Sequence, residues 1–366
     1  MREKQLSPRH LAALGALTAA LGAAPALAAD KPALAPLPDA KQVKADRAEL
    51  GRMLFFDTRL SGDTATSCAT CHDPARGWGD GKPLSNGYTS IQYFRNAPGL
   101  FNAGHRTYFM WDARLDGSDA GTLVRDMLTE AHTMNMDSRL AQERLKQVPE
   151  YQAMFEKAFG GDPYGGKIYG AIGEYLKTIR TVDAPLDKFL RGDTAALGEA
   201  EQRGMELFLG KAGCAQCHSG PMLSDGKVHA TGVPASAELG ANAERQISML
   251  RHFATMGTPG YMNLREDVGH YVVTKDKKDW GKFLTPSLWD VGQTAPYMHN
   301  GVLSTLEDVV AFYDKGGGER SGLKPLQLSA AEQGDLVAFL KSMTGKAPAE
   351  KAPPLPEYKL RTVGQN

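Results

Sequence analysis

Cys68-Ala69-Thr70-Cys71-His72 has the form C-x-x-C-H, and Cys214-Ala215-Gln216-Cys217-His218 repeats it with the chain's other two cysteines. On a helical turn, cysteines three apart can both reach the vinyl groups of one porphyrin, and the next histidine then lies under the iron. A four-cysteine zinc site or a redox-active C-x-x-C would need neither histidine. The spacing therefore predicts two covalently bound c-type haems, with His72 and His218 as proximal iron ligands. No cysteine is left for the disulfides that an exported chain would otherwise suggest.

The segments that must position these motifs are alike. AELGRMLFF (48–56) precedes the first site and EQRGMELF (201–208) precedes the second. Each reads as an amphipathic helix with a glycine inside and an apolar end running towards the haem. This weak duplication predicts a mainly α fold of two cytochrome c-like helical domains, one per haem, with little β. A polar break at Arg191-Gly192-Asp193-Thr194 divides them into residues 48–192 and 193–346, with a tail over 347–366. Residues 29–47, which include Pro32, Pro36 and Pro38, read as an extended lead-in rather than core. Helical patterns cover Ser138–Gln147 and Pro149–Phe159, and Ser304–Glu307 and Ser329–Glu332 read as capping boxes. Only His270–Thr274 reads as a strand. Leu306, Val309, Val310 and Tyr313 share an apolar helix face, where a tyrosine is ordinarily core.

Composition sets outer limits. At 42% hydrophobic and 23% charged, the 366 residues have the balance of a soluble globular protein of two domains. Lys plus Arg equals Asp plus Glu at 42 each, so no strong field favours nucleic acid or an anionic membrane. Arg2, Lys4 and Arg9 precede an apolar run from Leu11 to Ala24 and then Ala26-Leu27-Ala28, the layout of a cleaved signal peptide over residues 1–28. Its loss, with Glu3, leaves 39 basic against 41 acidic residues and a net charge of −2. The run is short of the ~20 residues that span a bilayer, so the mature chain is expected to be exported and not membrane-embedded.

Further stretches make the chain resemble the bacterial di-haem cytochrome c peroxidase family, which includes MauG. They are Leu60-Ser61, CATCHDPA from Cys68, Phe94-Arg95-Asn96-Ala97-Pro98 and Trp111-Asp112-Ala113-Arg114 in the first half. CAQCH, Leu284-Thr285-Pro286-Ser287-Leu288 and Thr294 to Gly301 follow in the second, in the family's order from Ala48 to Lys341. The resemblance implies a periplasmic oxidoreductase in which the N-terminal haem meets hydrogen peroxide and the C-terminal haem relays electrons. Trp111 matches the tryptophan between the haems, and Asn96, Thr294 and Pro296 match positions that hold a calcium ion between the domains. The implied donor is a small c-type cytochrome or a cupredoxin, or else a protein substrate; a homodimer is left open.

The ligands depart from the common pattern. A peroxidase's second haem usually takes a methionine fourteen residues beyond the P-Y-x-H histidine; counted from His299, that place holds Tyr313, as in MauG. A thioether favours reduced iron, whereas a phenolate favours ferric and higher states. The competing reading keeps Tyr313 as core, with Met298 or Met256 as ligand. At the first haem, Tyr88 stands where many members carry a capping histidine, which leaves that iron open. The family's catalytic glutamate aligns with Thr133, which cannot transfer protons in the same way; His132 is favoured as its replacement over Glu130. Three functions follow as expectations: peroxide reduction, MauG-like oxidation of a partner's aromatic residues through a bis-ferryl state, or a non-enzymatic di-haem electron carrier.

Overall fold

The computed structural model describes residues 33–88, 92–346 and 350–357, so the signal-peptide reading falls outside the described residues. Helices dominate: α1 Ala45–Phe56, α2 Cys68–Cys71, α3 Ala120–Thr129, α4 Ser138–Lys146, α5 Pro149–Phe159, α6 Gly165–Leu176 and α7 Pro185–Leu190 come first. They are followed by α8 Glu199–Leu209, α9 Ala237–Ala241, α10 Ala243–Thr255, α11 Tyr271–Thr274, α12 Leu306–Asp314 and α13 Ala330–Ser342. The β structure comprises two antiparallel pairs, β1 Tyr108–Phe109 with β2 Leu115–Asp116 and β3 Val228–His229 with β4 Phe283–Leu284. Among the described residues no helix is long and apolar enough to cross a membrane.

The glycines noted in the two matching helices have one physical cause. A Cβ on Gly51 of α1 would lie 2.0 Å from the Ala171 carbonyl oxygen of α6. One on Gly204 of α8 would lie 2.1 Å from that of Asp335 in α13. Each glycine therefore lets its helix cross a partner at backbone contact, and any larger residue would push the pair apart. The α1–α6 crossing organises a first apolar cluster from Leu50 to Ile179, and the α8–α13 crossing a second that includes Phe208, Phe339 and Trp289. A third cluster joins Leu84 and Phe94 to Phe253 of α10 and Val272 of α11.

Two local readings need correction. His270–Thr274 is a helical turn and not a strand: Gly269 and Lys275 bracket it in left-handed conformations, and Tyr271 and Val272 go into the third cluster. Burial, rather than β-branching, decides the conformation of so short a segment. The capping box of α12 is made by Thr305 with Asp308, one residue later than read, because the Thr305 side chain accepts from the Asp308 amide. Ser329 and Glu332 form the box of α13 as expected.

The chain ends cross over. The described lead-in is extended only as far as Lys44, because α1 takes Ala45–Arg47, and Leu37 is core in the second cluster rather than outside it. At the other end, Glu350 pairs with Arg52 of α1 at 2.9 Å and accepts from the Tyr175 hydroxyl of α6 at 2.7 Å, while Arg59 donates to the Pro356 carbonyl.

Candidate active site

The two C-x-x-C-H motifs sit on different turns. Cys68–Cys71 form an α turn closed by a reciprocal box between Ser67 and Thr70. Cys214–Gln216 form a 3₁₀ turn entered through Gly213 in the left-handed region. None of the four cysteines is in a disulfide. Burial pushes Cys68 up to about 12 and Cys71 and Cys214 up to about 11, so they are neutral S–H groups at pH 7. That is the form that adds across a vinyl double bond, sulfur to one carbon and hydrogen to the other.

Both histidines are prepared for iron in the same way. His72 Nδ1 lies 2.9 Å from the Trp78 carbonyl oxygen, and His218 Nδ1 lies 3.0 Å from that of Leu223. A carbonyl can only accept, so each Nδ1 carries the proton and each Nε2 keeps its lone pair. Burial lowers the pKa of both rings, which holds them neutral and able to ligate. Near His72, the Nε of Arg106 is buried without a hydrogen bond, and no carboxylate pairs with this guanidinium among the described residues. Burial brings Arg106 down to about 10. An unpaired cation beside the proximal histidine suits the propionate of a haem, so the residues present fit the group.

Glu130 and His132 face one another next to the first motif. His132 Nε2 lies 2.9 Å from Glu130 Oε2, and the His132 carbonyl presses on Gly87, where a Cβ would come within 1.8 Å. Gly87 follows Asn86, whose carbonyl accepts from the Cys71 thiol. Burial alone would raise Glu130, but the adjoining His132 and the Arg114 guanidinium outweigh it and bring the carboxyl to about 2. The Thr133 hydroxyl donates to the main-chain carbonyls of Met127 and Glu130 and is turned away from this pair. The Tyr88 ring lies against Gly62.

Tyr313 lies near the second motif. Burial pushes its phenol up to about 12; the nearby Cys214 and Cys217 thiols act in the same direction and a hydrogen bond with Thr231 opposes them. Met256 instead packs into the third cluster, and Met298 occupies a left-handed position before His299.

Trp111 connects the halves. Its indole Nε1 donates to the Asn96 carbonyl at 3.0 Å, and its own carbonyl accepts from the Leu284 amide at 2.8 Å. Asn96 in turn donates its amide to the His299 carbonyl at 2.8 Å. The Thr294 methyl lies 3.0 Å from where a Cβ on Gly99 would be, so Asn96 and the Thr294–Pro296 segment share one neighbourhood.

The family model for di-haem cytochrome c peroxidase matches residues 45–195. The cytochrome-c peroxidase IdrP2 of Denitromonas iodatirespirans is 57% identical over 333 residues, 91% of each chain. The chain belongs to the di-haem cytochrome c peroxidase family. The methylamine utilization protein MauG of Methylorubrum extorquens is 36% identical over 329 residues, 88% of this chain and 84% of that one. A solved structure of a MauG-like protein associated with microbial copper homeostasis superposes with a TM-score of 0.71 at 28% identity, covering 88% of this chain and 96% of its own.

This di-haem peroxidase is therefore an oxidoreductase with two c-type haems, whose chemistry involves hydrogen peroxide and redox partners. Sequence reasoning missed several of its polar residues. Asp112 is fully buried between Arg95 at 2.6 Å and Arg114 at 3.1 Å, and His252 of α10 lies 3.3 Å from it. Asp112 and Arg114 were visible in the Trp111–Arg114 motif, but no spacing rule relates them to a histidine 140 residues away. Trp289 is 3% exposed and donates to the Pro221 carbonyl at 2.8 Å, three residues beyond His218.

Proposed function

We propose that the protein is a periplasmic peroxidase that reduces hydrogen peroxide to water at the haem on His72, with electrons relayed through the haem on His218. The observation that carries this reading is the Glu130–His132 pair beside the first motif, whose imidazole is buried, whereas the Asp225–His229 pair at the second motif has its imidazole in contact with solvent. The haem supplies an iron that binds peroxide and exchanges electrons. The protein's own residues do the rest. His132 would take the proton from one peroxide oxygen and return it to the other, which leaves as water, while two electrons from the redox partner and two protons take the remaining oxygen to a second water. Glu130, held ionised, fixes the imidazole and stabilises its positive charge while it carries the proton. Trp111 lies on the path between the halves, where an indole relays charge, and Tyr88 leaves the first iron without a histidine cap.

Asn96, Thr294 and Pro296 are proposed to hold a calcium ion that ties the halves together; oxygen donors of this kind suit a hard cation. The division into residues 48–192 and 193–346 is proposed as one domain per haem, and the periplasmic location rests on the signal peptide read over 1–28.

A second reading is favoured by Tyr313. Buried near Cys214 and Cys217, it would give the second iron a phenolate in place of a thioether. That ligand suits sharing oxidising equivalents and supports MauG-like oxidation of a partner's aromatic residues. Peroxide titration of the diferric holoprotein with reductant competition decides. Fast turnover with a small c-type cytochrome or cupredoxin is expected for the peroxidase. Slow turnover with a long-lived oxidised protein would favour the second reading, and a spectrum unmoved by peroxide would leave only an electron carrier.

A further inference from the structure

Two links run from the first motif into the α1–α6 crossing. The Trp78 carbonyl accepts from His72 Nδ1, and the Trp78 ring lies 6.3 Å, centroid to centroid, from the Tyr175 ring of α6. Trp78 makes both contacts from the left-handed region, at a φ of 62° that a bulky side chain rarely adopts. Cys68, one of the haem attachments, packs against the same cluster and is near enough to act on the Tyr175 phenol. Phe55 fills the corner between the two rings, edge-on to Trp78 at 5.8 Å and to Tyr175 at 5.3 Å. An indole and a phenol thus follow one another from His72 through a dry core, 4% and 2% exposed.

The Tyr175 hydroxyl ends this path on a base. It donates to Glu350 at 2.7 Å, and Glu350 is fixed by Arg52 at 2.9 Å with its side chain 21% exposed. Burial and the Glu350 charge push the phenol up, so it holds its proton at neutral pH. A phenol that gives up an electron becomes a strong acid, so it is oxidised readily only where a base can take the proton. Other aromatic groups of this half are less well placed. The Tyr93 hydroxyl, whose ring stacks on His132, has no hydrogen-bond partner among the described residues. The Trp111 indole donates to a carbonyl, too weak a base to keep a proton. Tyr151 donates to the Asp57 carboxylate at 2.5 Å, but Asp57 is 1% exposed and paired with Arg59, so a proton placed there stays buried.

We propose that Trp78 and Tyr175 form an escape route for oxidising equivalents, ending as a neutral tyrosyl radical whose proton rests on Glu350. The proposal rests on the reading that peroxide reacts at the haem on His72. When the redox partner supplies no electrons, peroxide withdraws them from the protein. Tyr175 then gives one electron through the Trp78 indole to the first centre, its O–H bond breaks, and the proton bonds to Glu350 Oε1. A reductant later returns the electron and Glu350 returns the proton, which restores the side chain. Oxidising power is thereby drawn away from the peroxide site to a phenol one hydrogen bond from a carboxylate in contact with solvent.

The test is electron paramagnetic resonance of the diferric holoprotein, frozen after addition of hydrogen peroxide without reductant. An organic radical should appear, and ring-deuterated tyrosine in the unmodified sequence should narrow its signal. Tyr175→Phe should remove the radical while keeping the two-haem spectrum and turnover with an external donor. Glu350→Gln should slow its appearance by about tenfold or more, because a carboxamide cannot take the proton. Tyr151→Phe should leave it as it was. A haem spectrum that responds to peroxide with no radical, or with a radical that survives Tyr175→Phe or is not narrowed by deuteration, overturns the route and leaves the peroxide reading standing. An unchanged rate in Glu350→Gln overturns the role of the carboxylate. A haem spectrum unmoved by peroxide overturns both the route and the reading beneath it.

Discussion

Around Cys68–His72 the neighbours are ionisable: Glu130, His132, Arg114, Asp112 and the unpaired Arg106. Around Cys214–His218 they are mostly aromatic or apolar, with Trp289 and Ala215 in the core and Tyr313 close to the cysteines. The Asp225–His229 pair, 2.7 Å apart and with His229 in contact with solvent, and Lys227 bring charge to that rim. Both motifs attach the same group and pin the histidine the same way, so attachment cannot be what separates their roles. What differs is whether protons can move nearby. A centre that breaks an O–O bond needs them, and one that passes electrons does not.

The largest effect that would sharpen this contrast is removal of one attachment at a time. Cys68→Ala with Cys71→Ala should abolish peroxide consumption and halve the haem bound per chain. The matching pair at Cys214 and Cys217 should keep peroxide binding and lose turnover with an external donor. If both pairs behaved alike, the division of labour would be wrong. Next in size, His132→Gln should slow peroxide consumption by about 10²–10³-fold at pH 7 with both haem spectra retained, in the range ascribed to one acid–base group.

At the second centre, Tyr313→Met should raise the haem potential by on the order of 0.1 V or more, because a thioether favours reduced iron. Peroxide binding at the first haem should persist, and redox titration with an electronic spectrum checks both. An unchanged spectrum would show that Tyr313 is only core. The smallest effect is on acid stability. The folded pKa of Glu130, about 2, lies below the ordinary 4.5, so its contribution is complete at neutral pH and lost as the pH falls from 4.5 through 2. Glu130→Gln should flatten the decline in melting temperature between pH 5 and pH 3, whereas an acid substitution near the second motif should leave that decline in place.

The features legible in the sequence were those with local spacing. The C-x-x-C-H motifs, the two helix glycines, the mainly α class and the box at Ser329 each depend on residues a few positions apart. The 270–274 turn was misread because its conformation depends on burial against α10 and not on its own β-branched residues. Asp112 and His252 stayed hidden because a polar ring assembled from β2's approach, the segment after α3 and α10 leaves no periodic trace. The role of Thr133 was doubtful from alignment alone; its hydroxyl bonds to two carbonyls show why it is a spacer beside the pair rather than a member of it.

The crossed ends give the molecule a property that its two-part pattern hides. Leu37, from the start of the chain, completes the hydrophobic interior of the second half, and Glu350, from its end, clasps the first. If the halves arose by copying one small cytochrome, the crossed ends now tie each to the other. A gene cut near residue 192 would yield two fragments, each lacking a piece that only the other carries.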